Sequence, residues 1–263
     1  MSMIKNQIQA INDKGDKALS VFLTSGFPNK INFTELALNV FNAGADILEI
    51  GIPFSDPIAD GAVIQKSSQL ALKNGINISA TFEYVKEIRK SSAKPILLMG
   101  YANPVLAYGI ERFAEDSYNS GVNGLIIPDV PVDEQKVFCK NYFNKLDIIS
   151  LIAPTTPVNR IKMIDEESSG FVYCVSVNGI TGKNSDKEIN ESYLRTIKNT
   201  ITKNKTLIGF GISSPEDAKK VLPYCDGIIV GSAIIKSLLK EKSPYRETLN
   251  LVRELKDSLI NCN

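Results

Sequence analysis

Eight apolar runs of strand length recur along the chain: Leu19–Leu23, Asp46–Ile50, Ile96–Met99, Gly124–Ile127, Ile148–Ile152, Phe171–Ser176, Leu207–Phe210 and Gly227–Val230. Several intervening stretches, among them Phe33–Phe41, Phe82–Ile88, Val132–Phe143 and Leu249–Leu259, place apolar residues at three-to-four spacing and predict helices. A strand buried on both faces reads as a nearly continuous apolar run. Strand–helix alternation therefore predicts an α/β fold with a parallel sheet covered by helices. Gly44-Ala45-Asp46, Gly121-Val122-Asn123 and Cys225-Asp226-Gly227 each precede an apolar run, as a weak internal repeat of a helix end, a polar turn and a strand. Eight such units suit a closed (β/α)8 TIM barrel better than an open sheet. The 263 residues match the about 250 typical of one. No Pro- or Ser-rich linker interrupts the pattern, so residues 1–263 are expected to form one domain.

Three features extend the basic barrel. The N-terminus reads as an extra amphipathic helix through Ile4, Ile8 and Ile11, without the apolar core or cleavage site of a signal peptide. The second βα connection is long and holds an additional helical stretch, Thr81–Lys90. The sixth carries a polar surplus, Asn178–Ile189, with Gly179 and Gly182. Loops that follow barrel strands build the active-site face, so extended loops 2 and 6 are expected to act as lids.

Composition narrows the chemistry. The chain has no histidine, which excludes Ser-His-Asp and Cys-His catalysis and His-ligated zinc. Proton transfer must use Asp, Glu, Tyr, Lys or Cys. Cys139, Cys174, Cys225 and Cys262 form no CxxC pair, so no metal site is expected and reduced thiols are. A net charge of +1 gives no footprint for nucleic acid or an anionic membrane. No apolar run is long enough to span a bilayer. A bacterial cytoplasmic location is expected.

Side chains alternate along a strand. In Ile47-Leu48-Glu49-Ile50, Leu48 and Ile50 should face the helices, and Ile47 and Glu49 the barrel interior. A carboxylate among apolar side chains is costly unless paired. Glu49 is thus either half of a structural ion pair or a general acid whose pKa burial has raised. Asp60 precedes the helical stretch Ala62–Lys73 and reads either as its N-cap or as a second catalytic carboxylate. Asp56, before Pro57, reads as a turn residue or part of the same cluster. Gly179-Ile180-Thr181-Gly182, Gly209-Phe210-Gly211-Ile212 and Gly231-Ser232-Ala233 follow the last three strands. Glycine backbone in loops seven and eight forms the usual barrel phosphate site, so a phosphorylated ligand is expected. Tyr173, Phe22 and Tyr101 could line a pocket or fill the core.

The run Leu48-Glu49-Ile50-Gly51-Ile52-Pro53-Phe54-Ser55-Asp56-Pro57-Ile58-Ala59-Asp60-Gly61 closely resembles the signature of the tryptophan synthase α chain family. Ser176–Gly182, Tyr101–Pro104, Pro128–Pro131 and the late glycine stretches are similar to that family's loops, and the likeness spans essentially the whole chain. There are two departures from it: Ala62 stands where many members have proline, and Val177-Asn178 varies within loop six.

The resemblance implies retro-aldol cleavage of indole-3-glycerol phosphate to indole and glyceraldehyde 3-phosphate. Glu49 would be the general acid–base, and Asp60 would accept the indole N–H. Tyr173, Phe22, Ile64, Tyr101, Thr181 and Phe210 would surround the substrate. Gly182, Gly211, Gly231 and Ser232 would hold the phosphate. The resemblance further implies no cofactor in this chain and a β chain partner carrying pyridoxal phosphate, in an αββα complex. Phe54, Asp56, Pro57, Asn103 and Pro131 match the interface. A free-standing lyase and a non-catalytic regulatory subunit are the alternatives.

Overall fold

The computed structural model describes residues 2–139, 142–175, 190–209 and 211–261. Eight parallel strands close into a barrel in sequence order, with β8 pairing back onto β1. They are β1 (Ala18–Thr24), β2 (Ile47–Gly51), β3 (Ile96–Met99), β4 (Gly124–Ile126), β5 (Asp147–Ile152), β6 (Phe171–Val175), β7 (Lys205–Gly209) and β8 (Gly227–Val230). The expected TIM barrel is therefore present. The ends of the apolar runs shift by at most one residue, except that β7 begins two residues earlier.

Two apolar layers hold the fold. The outward side chains, such as Leu48 and Ile50 of β2, pack with the helices in the larger core. The inward ones, including Ile47, Leu97, Ile126, Ile149, Phe171 and Leu207, fill the barrel. Burying one such side chain contributes about 1.5–3 kcal/mol, so these layers dominate stability. Helix α1 (Met3–Asn12) seals the N-terminal end of the barrel, with Ile4, Ile8 and Ile11 joining the interior cluster. The Ser2 hydroxyl caps α1 by accepting from the Lys5 N–H at 3.0 Å, and it donates to the Asp147 carboxylate at 2.5 Å. The cap and the tether to β5 thus share one side chain.

Helix α2 (Phe33–Asn42) joins β1 to β2, and the helices that matter for the site follow the later strands. After β2 come α3 (Ala62–Lys73) and α4 (Ile78–Arg89), so the long second connection does contain two helices. After β3 come α5 (Ala102–Tyr108) and α6 (Ile110–Ser120). Helix α5 lies where only a loop was expected. The Asp129 carboxylate accepts from the Ala102 N–H at 3.0 and 3.1 Å and so satisfies a donor at its first turn. Helix α7 spans Val132–Cys139, α8 (Val158–Glu167), α9 (Glu191–Thr200) and α10 (Pro215–Val221) follow β5, β6 and β7, and α11 (Ser232–Leu238) follows β8. Loop 6, residues 176–189, lies outside the described residues.

Candidate active site

Glu49 stands on β2, in register with Phe22 of β1 and Leu97 of β3. Its side chain points inward and is 1% exposed. One carboxylate oxygen, Oε1, accepts from the Ser20 hydroxyl at 2.7 Å. The other, Oε2, has no partner among the described residues. Among the described residues no cation offsets the burial, so they supply no ion-pair partner for this carboxylate. Burial raises its pKa to about 7, against the downward pull of the Ser20 bond.

Asp60 lies on the loop between β2 and α3. It does not cap α3: Gly61 occupies that position and makes no side-chain cap. The Asp60 carboxyl instead engages the Tyr101 hydroxyl, which also accepts from the Ala59 N–H at 3.1 Å. Burial raises the Asp60 pKa to about 6, and the Tyr101 bond works against this. Tyr101 keeps its own proton well above pH 10, through burial and then the charge of Asp60.

A cavity of about 540 Å³, including its open mouth, lies above the barrel core. Glu49, Asp60, Phe22, Ile64 and Tyr173 line it, as do Gly211, Gly231 and Ser232. Seven strand-end or loop expectations thus meet at one place with Ile64 of α3. Tyr101 does not line the cavity; it reaches the site through Asp60. Thr181, Gly182 and Phe210 lie outside the described residues. Met99, Ile212 and Ile229 complete the apolar wall. Strand alternation carries the signal for Ile229, which follows the same inward register as Gly227, but its depth in the wall is not visible locally.

Glycine makes room for two of the aromatic walls. A Cβ on Gly209 of β7 would lie 2.4 Å from the Tyr173 hydroxyl, and one on Gly51 would lie 2.3 Å from the Phe22 ring. The far ends of both rings therefore approach glycine backbone where a Cβ would leave no room. Burial holds the Tyr173 hydroxyl well above its ordinary pKa, and the charges of Glu49 and Asp60 add to this. At neutral pH Tyr173 is a donor, not a base.

The described lining contains no Lys or Arg. An anion at Gly211, Gly231 and Ser232 would be held by backbone N–H groups and a hydroxyl. Gly211 sits at φ +84°, a conformation open to glycine. The two acidic groups have pKa values near neutrality in one water-poor pocket, which suits reversible proton transfer to a neutral organic substrate. Among the described residues no cluster of three or more His, Cys, Asp or Glu could hold a metal ion.

The expected interface residues lie on the same face of the barrel. Asp56, Asn103 and Pro131 are exposed, while Phe54 and Pro57 are half-buried. The Phe54 ring packs on Tyr101 with centroids 5.5 Å apart.

Comparison with known proteins places this geometry in a family. The family model for the tryptophan synthase alpha chain matches residues 8–261. The tryptophan synthase alpha chain of Petrotoga mobilis is 43% identical over 250 residues, covering 94% of this chain and 96% of that protein. The alpha chain of Caldanaerobacter subterraneus is 45% identical over 243 residues, covering 91% and 92%. A chain in the structure of Mycobacterium tuberculosis tryptophan synthase superposes with a TM-score of 0.88 at 30% identity, covering 98% of each. With its signature run lining or flanking the cavity, the chain belongs to the tryptophan synthase alpha chain family.

Proposed function

We propose that residues 1–263 act as one domain that cleaves indole-3-glycerol phosphate to indole and glyceraldehyde 3-phosphate. The observation that carries this reading is the pair Glu49 and Asp60, both with raised pKa values, on one cavity that ends in glycine backbone. Protonated Glu49 delivers its proton through the unpartnered Oε2 to indole C3. The ring nitrogen becomes positively charged, and the Asp60 carboxylate accepts its N–H and stabilises that charge. The Glu49 carboxylate then takes the proton of the side-chain hydroxyl next to the breaking bond. The C–C bond electrons return to the ring, the hydroxyl carbon becomes the aldehyde, and Glu49 ends protonated as it began. Tyr173, locked in its neutral form, supports the pocket as a donor and is a poor candidate for the base. Each proton step of this kind contributes roughly 10²–10⁴ in rate.

In this reading Phe22, Ile64 and Tyr173 enclose the indole, with Phe210 and Thr181 adjoining. Gly211, Gly231 and Ser232 hold the phosphate together with Gly182. The chain itself requires no cofactor; pyridoxal phosphate belongs to a β chain partner in an αββα complex. Phe54, Asp56, Pro57, Asn103 and Pro131 would meet that partner. The exposed apolar side chains Ile58, 72% exposed, and Leu106, 57% exposed, favour a docked surface there. Because Phe54 packs on Tyr101 and Tyr101 holds Asp60, the partner would act on the site through one short chain of contacts. Among the described residues no helix is long and apolar enough to cross a membrane, and a bacterial cytoplasmic location accords with that.

The test is indole release from indole-3-glycerol phosphate, alone and with a β chain. Weak release that rises strongly with the partner is the expected result. Strong release without it would favour a free-standing lyase, and stimulation of the β chain with no release at all would favour a regulatory subunit. Glu49→Gln should bind ligand but cleave it at less than a tenth of the parent rate; a higher rate would refute the acid–base role.

A further inference from the structure

Ser20 lies on β1 with its side chain inside the barrel. It is in register with Ile47 of β2 on one side and Ile229 of β8 on the other, so its own layer is apolar. It is 0% exposed and does not line the cavity. A hydroxyl in such a layer costs stability unless it is hydrogen-bonded. Its partner is Glu49 Oε1, at 2.7 Å. No substrate atom can reach Ser20 through the filled layer, so any effect on a reaction must pass through Glu49.

We infer that Ser20 is a positioning residue: it anchors Oε1 of Glu49 from below, so that Oε2 is the oxygen presented to the substrate, and it sets the proton affinity of the carboxyl. The bond restricts rotation of the carboxyl plane, which leaves the two oxygens inequivalent. It also favours the ionised form, since a hydroxyl donates more strongly to a carboxylate than to a carboxylic acid. Among the described residues, the other titratable groups facing Glu49 are Tyr173 from β6 and Asp60 from the loop after β2. The neighbouring strands bring only Phe22 from β1, Leu97 and Met99 from β3 and Ile229 from β8, and α1 beneath brings Ile4, Ile8 and Ile11. The Ser20 hydroxyl is therefore the main local counterweight to burial.

This inference rests on the proposed role of Glu49 only where activity is read; the proton affinity can be read without it. The side-chain carboxyl of Glu49 would be titrated by carbon-13 NMR in protein labelled at glutamate, its signal assigned by loss in E49Q. Ser20→Ala should move the midpoint up by about one unit, the shift expected for a lost hydrogen bond to a charged group. Ser20→Cys, which keeps the volume with a weak donor, should move it in the same direction, whereas Ser20→Thr should restore it. If Ala or Thr fails to fold, Cys still decides. In indole release, Ala and Cys should lower kcat about tenfold with KM little changed, and shift the kcat limb of Glu49 upward by the same amount as the titration. A midpoint within about 0.2 units of the parent in every folded variant would overturn the inference. Full activity in E49Q would refute the proposed reaction while leaving the titration result standing.

Discussion

Replacing Glu49 by Gln should stabilise the protein at alkaline pH, even as it removes the proposed acid. The Glu49 pKa is raised from 4.5 to about 7 by burial. Its folded form thus holds a proton more tightly than its unfolded form. The stability this group contributes is fully present below about pH 4.5 and is lost as pH rises through about 7. A shift of two and a half units, at about 1.4 kcal/mol each, makes the complete loss about 3.4 kcal/mol. About 1.4 kcal/mol of that is already gone at pH 5.5, because the unfolded carboxyl is mostly ionised there. Gln keeps the shape and can still accept from Ser20, but it does not titrate. The stability advantage of E49Q over the parent should therefore widen by about 2 kcal/mol between pH 5.5 and 8.5. Asp60 is common to both proteins and cancels. Reversible urea unfolding followed by circular dichroism at the two pH values gives the comparison directly. Parallel stability curves for the two proteins would show that Glu49 is not held protonated by burial, and the reasoning about its acidity would fall.

Two further outcomes follow from the same geometry. Tyr101→Phe removes the hydroxyl that lowers the Asp60 pKa and leaves the Ala59 N–H without its partner; the Asp60 limb of the kcat profile should move upward from about pH 6, and an unmoved limb would refute the link. Gly209→Ala forces the Tyr173 ring away from a Cβ placed 2.4 Å from its hydroxyl; a loss of about 1–3 kcal/mol in urea unfolding with an unchanged m-value is expected, together with lower kcat/KM.

The barrel was legible because its strands are short, buried and apolar. The runs Ile96–Met99 and Gly227–Val230 coincide with β3 and β8, and Ala62–Lys73 coincides with α3. Alternation along β2 was enough to turn Glu49 inward. What the pattern could not supply was contact between distant loops. Asp60 carries the local signature of an N-cap, yet its carboxyl is drawn to Tyr101 in the next βα loop, and Gly61 takes the cap position. Tyr101 was accordingly expected at the pocket wall and stands instead behind Asp60. Ser20 carried a usable signal, since it lies two residues before inward Phe22. Its meaning depends on Glu49 one strand away, which spacing along a single strand does not show. Helix α5 was hidden because Asn103-Pro104 reads as a turn; the Asp129 carboxylate, from the following loop, stabilises its start.

Helix α1 gives the barrel a floor. With Ile4, Ile8 and Ile11 packed beneath the interior layer, the site is a cup rather than a tube, its lining drawn from the strand ends and the loops after β2, β7 and β8. Under the proposed reaction, a substrate and both of its fragments would pass through the end of the barrel opposite that helix. In that proposal, whatever docks over Asp56, Ile58 and Asn103 would stand at that same end and so bear on departure as well as entry without touching a reacting atom.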